Sequence, residues 1–527
     1  MIRNLTVTNI TTSSVILTWQ EPVGNRSFFK LLWTGDKTIG NASEITNTSH
    51  HITNLTAGVN YTFCVTAVTA DNLGESEPFC ISKYTVPNMI RNLTVTNITT
   101  SSVILTWQEP VGNRSFFKLL WTGDKTIGNA SEITNTSHHI TNLTAGVNYT
   151  FCVTAVTADN LGESEPFCIS KYTVPNMIRN LTVTNITTSS VILTWQEPVG
   201  NRSFFKLLWT GDKTIGNASE ITNTSHHITN LTAGVNYTFC VTAVTADNLG
   251  ESEPFCISKY TVPNMIRNLT VTNITTSSVI LTWQEPVGNR SFFKLLWTGD
   301  KTIGNASEIT NTSHHITNLT AGVNYTFCVT AVTADNLGES EPFCISKYTV
   351  PNMIRNLTVT NITTSSVILT WQEPVGNRSF FKLLWTGDKT IGNASEITNT
   401  SHHITNLTAG VNYTFCVTAV TADNLGESEP FCISKYTVPN MIRNLTVTNI
   451  TTSSVILTWQ EPVGNRSFFK LLWTGDKTIG NASEITNTSH HITNLTAGVN
   501  YTFCVTAVTA DNLGESEPFC ISKYTGR

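Results

Sequence analysis

Short runs of alternating apolar and polar residues fill the first 88 residues of the chain. This period of two is typical of half-buried strands, and no segment shows helical spacing. The apolar positions of successive runs are Leu5 and Val7; Val15, Leu17 and Trp19; Phe29, Leu31 and Trp33; Ile52 and Leu55; Tyr61, Phe63, Val65 and Ala67; Phe79 and Ile81. About seven short strands, rich in β-branched residues and joined by Asn-, Gly-, Ser- and Thr-rich segments, predict an all-β antiparallel sandwich.

The whole pattern recurs six times with a period of 88 residues. The string that begins at Met1 returns unchanged at Met89, Met177, Met265, Met353 and Met441. Ankyrin, tetratricopeptide and similar repeats are shorter, and their single units cannot bury a core alone. Each copy is therefore predicted to be a domain, with bounds 1–88, 89–176, 177–264, 265–352, 353–440 and 441–527. An engineered concatemer, one representative sequence used for all copies and a very recent duplication are three explanations for identical copies.

Three motifs in each copy resemble the fibronectin type III family. Leu17-Thr18-Trp19 followed by Glu21-Pro22 resembles strand B with its buried tryptophan. The segment from Leu55 to Thr62 resembles the E-to-F corner, where a tyrosine hydroxyl bonds to nearby backbone, and Tyr61 to Val68 resembles strand F. The family usually has proline where this chain has Ala57. The resemblance implies six tandem seven-stranded antiparallel β-sandwiches of immunoglobulin-like architecture, with strands A, B and E in one sheet and C, C′, F and G in the other.

Among such modules, the Asn-rich opening and the cysteine pair on strands F and G resemble those in ectodomains of receptor-type tyrosine phosphatases. No phosphatase domain follows in this sequence. There is also no Gly-rich phosphate loop, HExxH or GxSxG motif, so we predict no enzyme, no catalytic residues and no cofactor. The tripeptide Arg-Gly-Asp is missing, which excludes integrin binding through that motif.

The charge pattern argues against a nucleic-acid partner. The formal net charge is −5 over 527 residues, and the lysines and arginines are dispersed along each copy. A nucleic-acid surface needs a basic patch. No apolar run approaches the roughly 18 to 20 residues that span a bilayer, so we expect no direct membrane insertion of this chain.

Twelve cysteines, two in each copy, predict one disulfide within each domain and an oxidising compartment. If Phe63 and Val65 point inward on strand F, Cys64 points outward, and Cys80 does the same on neighbouring strand G. Two free surface thiols are the alternative; a zinc site is disfavoured because two Cys and two His lack compact spacing, and no metal is predicted. The predicted disulfide cysteines are Cys64, Cys80, Cys152, Cys168, Cys240, Cys256, Cys328, Cys344, Cys416, Cys432, Cys504 and Cys520.

Asn-x-Ser/Thr sequons are about three times more frequent than chance predicts, which favours N-linked glycans and the secretory pathway. Each copy carries seven, recurring every 88 residues, and six copies give 42. The predicted N-glycosylation sites of the first copy are Asn4, Asn9, Asn25, Asn41, Asn47, Asn54 and Asn60. The alternative is that Asn and Thr are common in turns and strands.

Two further groups of polar residues recur in every copy. His50 and His51 are adjacent strand residues, so their rings should point to opposite faces and not form a metal site or a pH switch. Asp71, Glu75 and Glu77 lie in the F-to-G loop, which suggests either a partner contact or a solvated loop tip.

These observations predict a non-catalytic extracellular structural or adhesive array. It would be a glycosylated, disulfide-stapled, rod-like spacer about 200 Å long, or a filament-forming module string. Its partners would be extracellular proteins or self-association along the array. The alternative is a ligand-binding ectodomain fragment of a cell-surface receptor such as a receptor-type tyrosine phosphatase.

Overall fold

The computed structural model describes all 527 residues, Met1–Arg527, and each of the six repeats contains seven strands and no helix. In the first repeat they are β1 (Arg3–Ile10), β2 (Val15–Gln20), β3 (Phe28–Gly35), β4 (Thr38–Ile45), β5 (Ser49–Ile52), β6 (Asn60–Val68) and β7 (Phe79–Tyr84). We use the labels β1 to β7 in every repeat, because the other strands follow at steps of 88 residues. Three strands differ from this rule at one end, namely Arg91–Thr96, Phe292–Thr298 and Ile303–Ile309.

The seven strands of a repeat form two antiparallel sheets. One sheet has the order β1-β2-β5 and the other the order β4-β3-β6-β7. The predicted division into A, B, E and C, C′, F, G is confirmed, and so is the all-β sandwich. Each sheet buries one face, which explains the alternation of buried and more exposed residues along β2 and most of β6.

The core of each repeat fills the space between the two sheets. Leu17, Phe29 and Val65 are fully buried, and the Trp19 indole meets the Phe29 ring edge-on with centroids 5.2 Å apart. Trp19 is 4% exposed, which confirms the predicted buried tryptophan. Trp33 is half-buried at the margin of this core and lies against Gly40.

Strand β7 is less buried than the sequence predicted. Phe79 and Ile81 were expected to point inward, but Ile81 is half-buried and Phe79 is 36% exposed in the first repeat. Strand β7 is an edge strand that pairs only with β6, so one flank of its side chains remains open to water. Alternation gives the phase of a strand, but not its place at a sheet edge.

The tyrosine corner is present in every repeat. The Tyr61 hydroxyl accepts a hydrogen bond from the Thr56 main-chain N–H at 3.1 Å and one from the Thr38 hydroxyl at 3.0 Å. Its ring is fully buried beside Phe63. The bond between Tyr61 and backbone that the family resemblance implied is therefore confirmed.

The chain enters each repeat at one pole and leaves at the other. Strand β1 begins where Arg3 pairs with Gln20, beside the β2–β3 loop. Strand β7 ends where Tyr84 pairs with Asn60, beside the β5–β6 loop. The first residue of β2, Val15, pairs with the last residue of β5, Ile52, so the β5–β6 loop lies beside the start of β2. The β2–β3 loop follows the end of β2, and the two loops therefore lie at opposite ends of the sandwich.

The chain as a whole divides into two compact units, Met1–Val262 and Pro263–Arg527, each of which holds three repeats. The structure contains no helix that is long and apolar enough to cross a bilayer.

Candidate interaction surfaces and repeat joints

The two cysteines of each repeat face one another across the β6–β7 ladder. Cys64 pairs directly with Cys80 in the register, and the two form a disulfide with their Cα atoms 4.1 Å apart. All twelve cysteines are joined in this way. On the same outer face, Thr62 and Ser82 share a hydroxyl hydrogen bond of 2.8 Å. Both contacts tie the edge strand β7 to the sheet.

The sequon asparagines are exposed in every repeat. Asn4 and Asn54 have φ values of 51° and 61°, a left-handed conformation that Asn tolerates better than most residues. Strands β1, β4 and β5 are edges of their sheets, so most of the sequons lie on or beside edges. By position, they are Asn4 and Asn9 in β1, Asn25 in the β2–β3 loop, Asn41 in β4, Asn47 and Asn54 before and after β5, and Asn60 at the start of β6.

The histidine pair is divided between the two faces of β5. His50 is half-buried on the side of Ile52, and His51 is exposed. Burial lowers the pKa of His50, and the neighbouring His51 lowers it further. The structure contains no cluster of three or more His, Cys, Asp or Glu side chains that could hold a metal ion.

Two of the three acidic residues in the β6–β7 loop have contacts within their own repeat. Asp71 accepts hydrogen bonds from the Thr69 hydroxyl at 2.6 Å and the Leu73 N–H at 3.2 Å, and the first of these is the main cause of its lowered pKa. Glu75 forms a salt bridge with Lys30. These contacts shape the loop, so the carboxylates of Asp71 and Glu75 are not simply solvated.

Consecutive repeats within each unit touch through two loops. The main-chain N–H of Asn113, in the β2–β3 loop of the second repeat, donates to the carbonyl of Ala57, in the β5–β6 loop of the first, at 2.9 Å. The equivalent bonds, between 2.8 and 2.9 Å long, are Asn201 to Ala145, Asn377 to Ala321 and Asn465 to Ala409. The same contact therefore forms four joints.

Glycine is required on both sides of this contact. Gly58 has φ +70°, and a Cβ there would lie 1.6 Å from the Asn113 carbonyl oxygen. Gly112 has φ +96°, and a Cβ there would lie 2.8 Å from the Ala57 oxygen. The two main chains approach so closely that any side chain would force them apart.

A side chain of the linker completes each joint. The Asn88 Nδ2 donates to the Val111 carbonyl at 2.7 Å, so the segment after β7 is fastened to the β2–β3 loop of the next repeat. The contact between the two loops was not predicted from the sequence. The recurring Gly24 and Gly58 were the available signal, but nothing in the sequence pairs one with the other.

The two ends of the chain show what the joint covers. Ala57 and Gly58 are buried, whereas the equivalent Ala497 and Gly498, which meet no following repeat in this chain, are exposed. At the other side of the joint, Val23 is 85% exposed and its equivalent Val111 is 63% exposed. Burial at these positions is therefore caused by the neighbouring repeat.

A polar groove lies beside three of the joints. Its volume is about 620 Å³ between the second and third repeats, 580 Å³ between the fourth and fifth and 640 Å³ between the fifth and sixth. At the first of these the lining residues are Asp124, Gly146, Val147, Asn148 and Tyr172 from the second repeat and Glu197, Gly200, Asn201, Arg202 and Ser203 from the third. Both repeats thus contribute a sequon asparagine.

Comparison with known proteins gives the same family in every repeat. The family model of the Fibronectin type III domain matches residues 1–81, 88–169, 176–257, 264–345, 352–433 and 440–521. All six matched segments have this non-catalytic fold.

Several relatives contain comparable arrays. The receptor-type tyrosine-protein phosphatase eta of Gallus gallus is 32% identical over 531 residues, covering 97% of this chain and 37% of the relative. Human receptor-type tyrosine-protein phosphatase H is 32% identical over 477 residues, covering 88% and 42%, and human Tenascin-R is 24% identical over 483 residues, covering 87% and 34%. The chain spans less than half the length of these relatives.

The predicted extracellular or cell-surface location is confirmed by these relatives, and six disulfides agree with it. The predicted similarity to receptor-type tyrosine phosphatase modules is confirmed as well. Since the family model matches six successive segments that each fold as a seven-stranded sandwich, the chain belongs to the fibronectin type III family, as a tandem array of six domains.

Proposed function

We propose that this chain is a non-catalytic extracellular spacer that holds binding surfaces apart. The observation that carries the proposal is the path of the chain, which enters each repeat at one pole and leaves at the other. An added repeat therefore adds length. The same main-chain contact at four joints supports the proposal, because it gives successive repeats a defined contact in place of a free hinge.

In this proposal each 88-residue repeat is one domain, with the bounds given above, and its exposed sequons carry N-linked glycans. Glycans on or beside β1, β4 and β5 would keep these edges from pairing with other strands. The partners are extracellular proteins and, along the array, other copies of the chain. We propose no enzymatic activity, no nucleic-acid partner and no insertion of this chain into a bilayer.

The experiment compares the full chain with its first unit, Met1–Val262, both secreted from the same eukaryotic cells. Small-angle scattering should give a maximum dimension about twice as large for six repeats as for three. Each sandwich should add roughly 30 Å, because its longest strands, of eight to nine residues, rise ~3.3 Å per residue. A maximum dimension that does not grow with the number of repeats would contradict the spacer function.

A second candidate function is ligand binding by a receptor ectodomain. The observation that favours it is the 32% identity to two receptor-type tyrosine phosphatases over 97% and 88% of this chain. Truncation to one repeat separates the two functions. A binding domain should retain its ligand after truncation, whereas a spacer should lose its effect in proportion to the length removed.

A further inference from the structure

We infer that the groove beside each of these three joints is a binding site for the protein's own N-linked glycan, attached to the asparagine of the β2–β3 loop. The inference rests on the proposed function as a glycosylated extracellular array. In the groove between the second and third repeats, that asparagine is Asn201. The grooves beside Asn377 and Asn465 have the same lining and nearly the same volume.

The position of Asn201 is fixed by the joint. Its N–H donates to Ala145 of the preceding repeat at 2.9 Å, and its carbonyl lies so close to Gly146 that a Cβ there would be 1.6 Å away. The Asn201 side chain is exposed and lines the groove. A sugar attached to Asn201 therefore starts inside the groove, and its tether removes most of the entropy cost of entering it.

The charges in the groove favour a neutral ligand. Arg202 is held by Glu197 through two hydrogen bonds and by the Ser203 and Thr222 carbonyls, so four of its five donors are used. Asp124 adds an uncompensated negative charge. An anionic ligand would be repelled, and the cluster lacks the third ligand that a metal site needs.

The remaining walls suit a sugar. Tyr172 offers an aromatic ring that the joint leaves half-buried, while the Asp124 carboxylate offers hydrogen-bond acceptors for the hydroxyl and acetamido groups of a sugar. The occupant is therefore the N-acetylglucosamine core of the glycan on Asn201, and it bridges two repeats.

The test measures how fast peptide N-glycanase releases that glycan from the folded and from the denatured chain. One variant keeps Asn201 as the sole sequon in a β2–β3 loop, and the other keeps Asn25. In each, Ser→Ala removes the other five such sequons while their asparagines stay in place. Asn25 is the matched control because it has the same local sequence and no preceding repeat in this chain, and Gly24 beside it has open space.

In the folded chain, release of the glycan at Asn201 should be at least about tenfold slower than at Asn25, which corresponds to a preference of about 1.4 kcal/mol for the glycan bound in the groove. After denaturation the two rates should be equal. Tyr172→Ala should speed release at Asn201, whereas Tyr524→Ala, at a position that is 69% exposed, should not. The inference is overturned if the glycan is released from Asn201 as fast as from Asn25, or if Asn25 is glycosylated and Asn201 is not. Absence of N-glycans at every site would instead overturn the proposed function.

Discussion

At the scale of single residues, the joint depends on a glycine that also has a left-handed backbone conformation. Gly146 and Gly498 occupy the same position in two repeats, and both have φ +73°. Only Gly146 faces a following repeat, where the Asn201 carbonyl leaves no room for a side chain. The chain therefore contains its own control for separating the cost of the backbone conformation from the cost of the joint.

We expect Gly498→Ala to lower the free energy of unfolding of its repeat by about 1–2 kcal/mol, because an L-residue is strained at positive φ. Gly146→Ala should cost more, since the methyl group also forces the joint open. Calorimetry of both variants and the parent measures the difference, with a shift of roughly 4–8 °C per kcal/mol for a domain of this size. Equal shifts for the two variants would contradict a role for the joint glycine.

His50 and its five equivalents should make the array less stable in acid. Burial lowers the pKa of each below the ordinary 6.5, so the unfolded chain binds protons that the folded chain resists. The free energy of unfolding should therefore fall as pH drops below about 6.5 towards the lowered pKa, and then level off. Urea unfolding between pH 7.5 and 5 measures this slope. His50→Gln in all repeats should flatten it, and an unchanged slope would assign it to other groups.

At the scale of strands, the β6–β7 disulfide holds an edge strand that buries little. The bond closes a loop of 16 residues, which is worth about 3 kcal/mol in the chain-entropy model. Replacement of Cys64 and Cys80 by Ala in every repeat should lower the free energy of unfolding of each domain by roughly this amount in urea. Peptide mapping of secreted material without reduction is the chemical check, and alkylatable thiols at these cysteines would contradict the pairing.

The strands themselves were predictable from sequence, because alternation reports which face of a strand is buried. Trp19 and Tyr61 lie where the motifs placed them, and the sheets have the expected order. The half-exposure of Phe79 was not predictable, since it depends on the absence of a further strand beside β7. The contact of Asn113 with Ala57 was also missed, because it joins two loops of different domains whose sequences contain no sign of each other.

At the scale of the whole molecule, glycosylation should dominate the mass and surface of the secreted chain. All 42 sequon asparagines are exposed in the fold, so enzymatic release of N-glycans from material secreted by eukaryotic cells should cause a large loss of intact mass. Occupancy should be partial, because close neighbours such as Asn54 and Asn60 compete for access. The same chain made in bacterial cytoplasm is the control, and an unchanged mass in secreted material would contradict the prediction.

The joint also affects how such an array can change over generations. Its central contact is a hydrogen bond between a main-chain N–H and a main-chain carbonyl, and this bond requires a glycine on each side. A repeat that is duplicated or deleted as a unit brings one complete half of a joint at each pole, and it finds the complementary halves already present in its neighbours. The number of repeats can therefore rise or fall by unequal recombination without a compensating mutation. The length of the array encoded by such a gene then changes in steps of one domain.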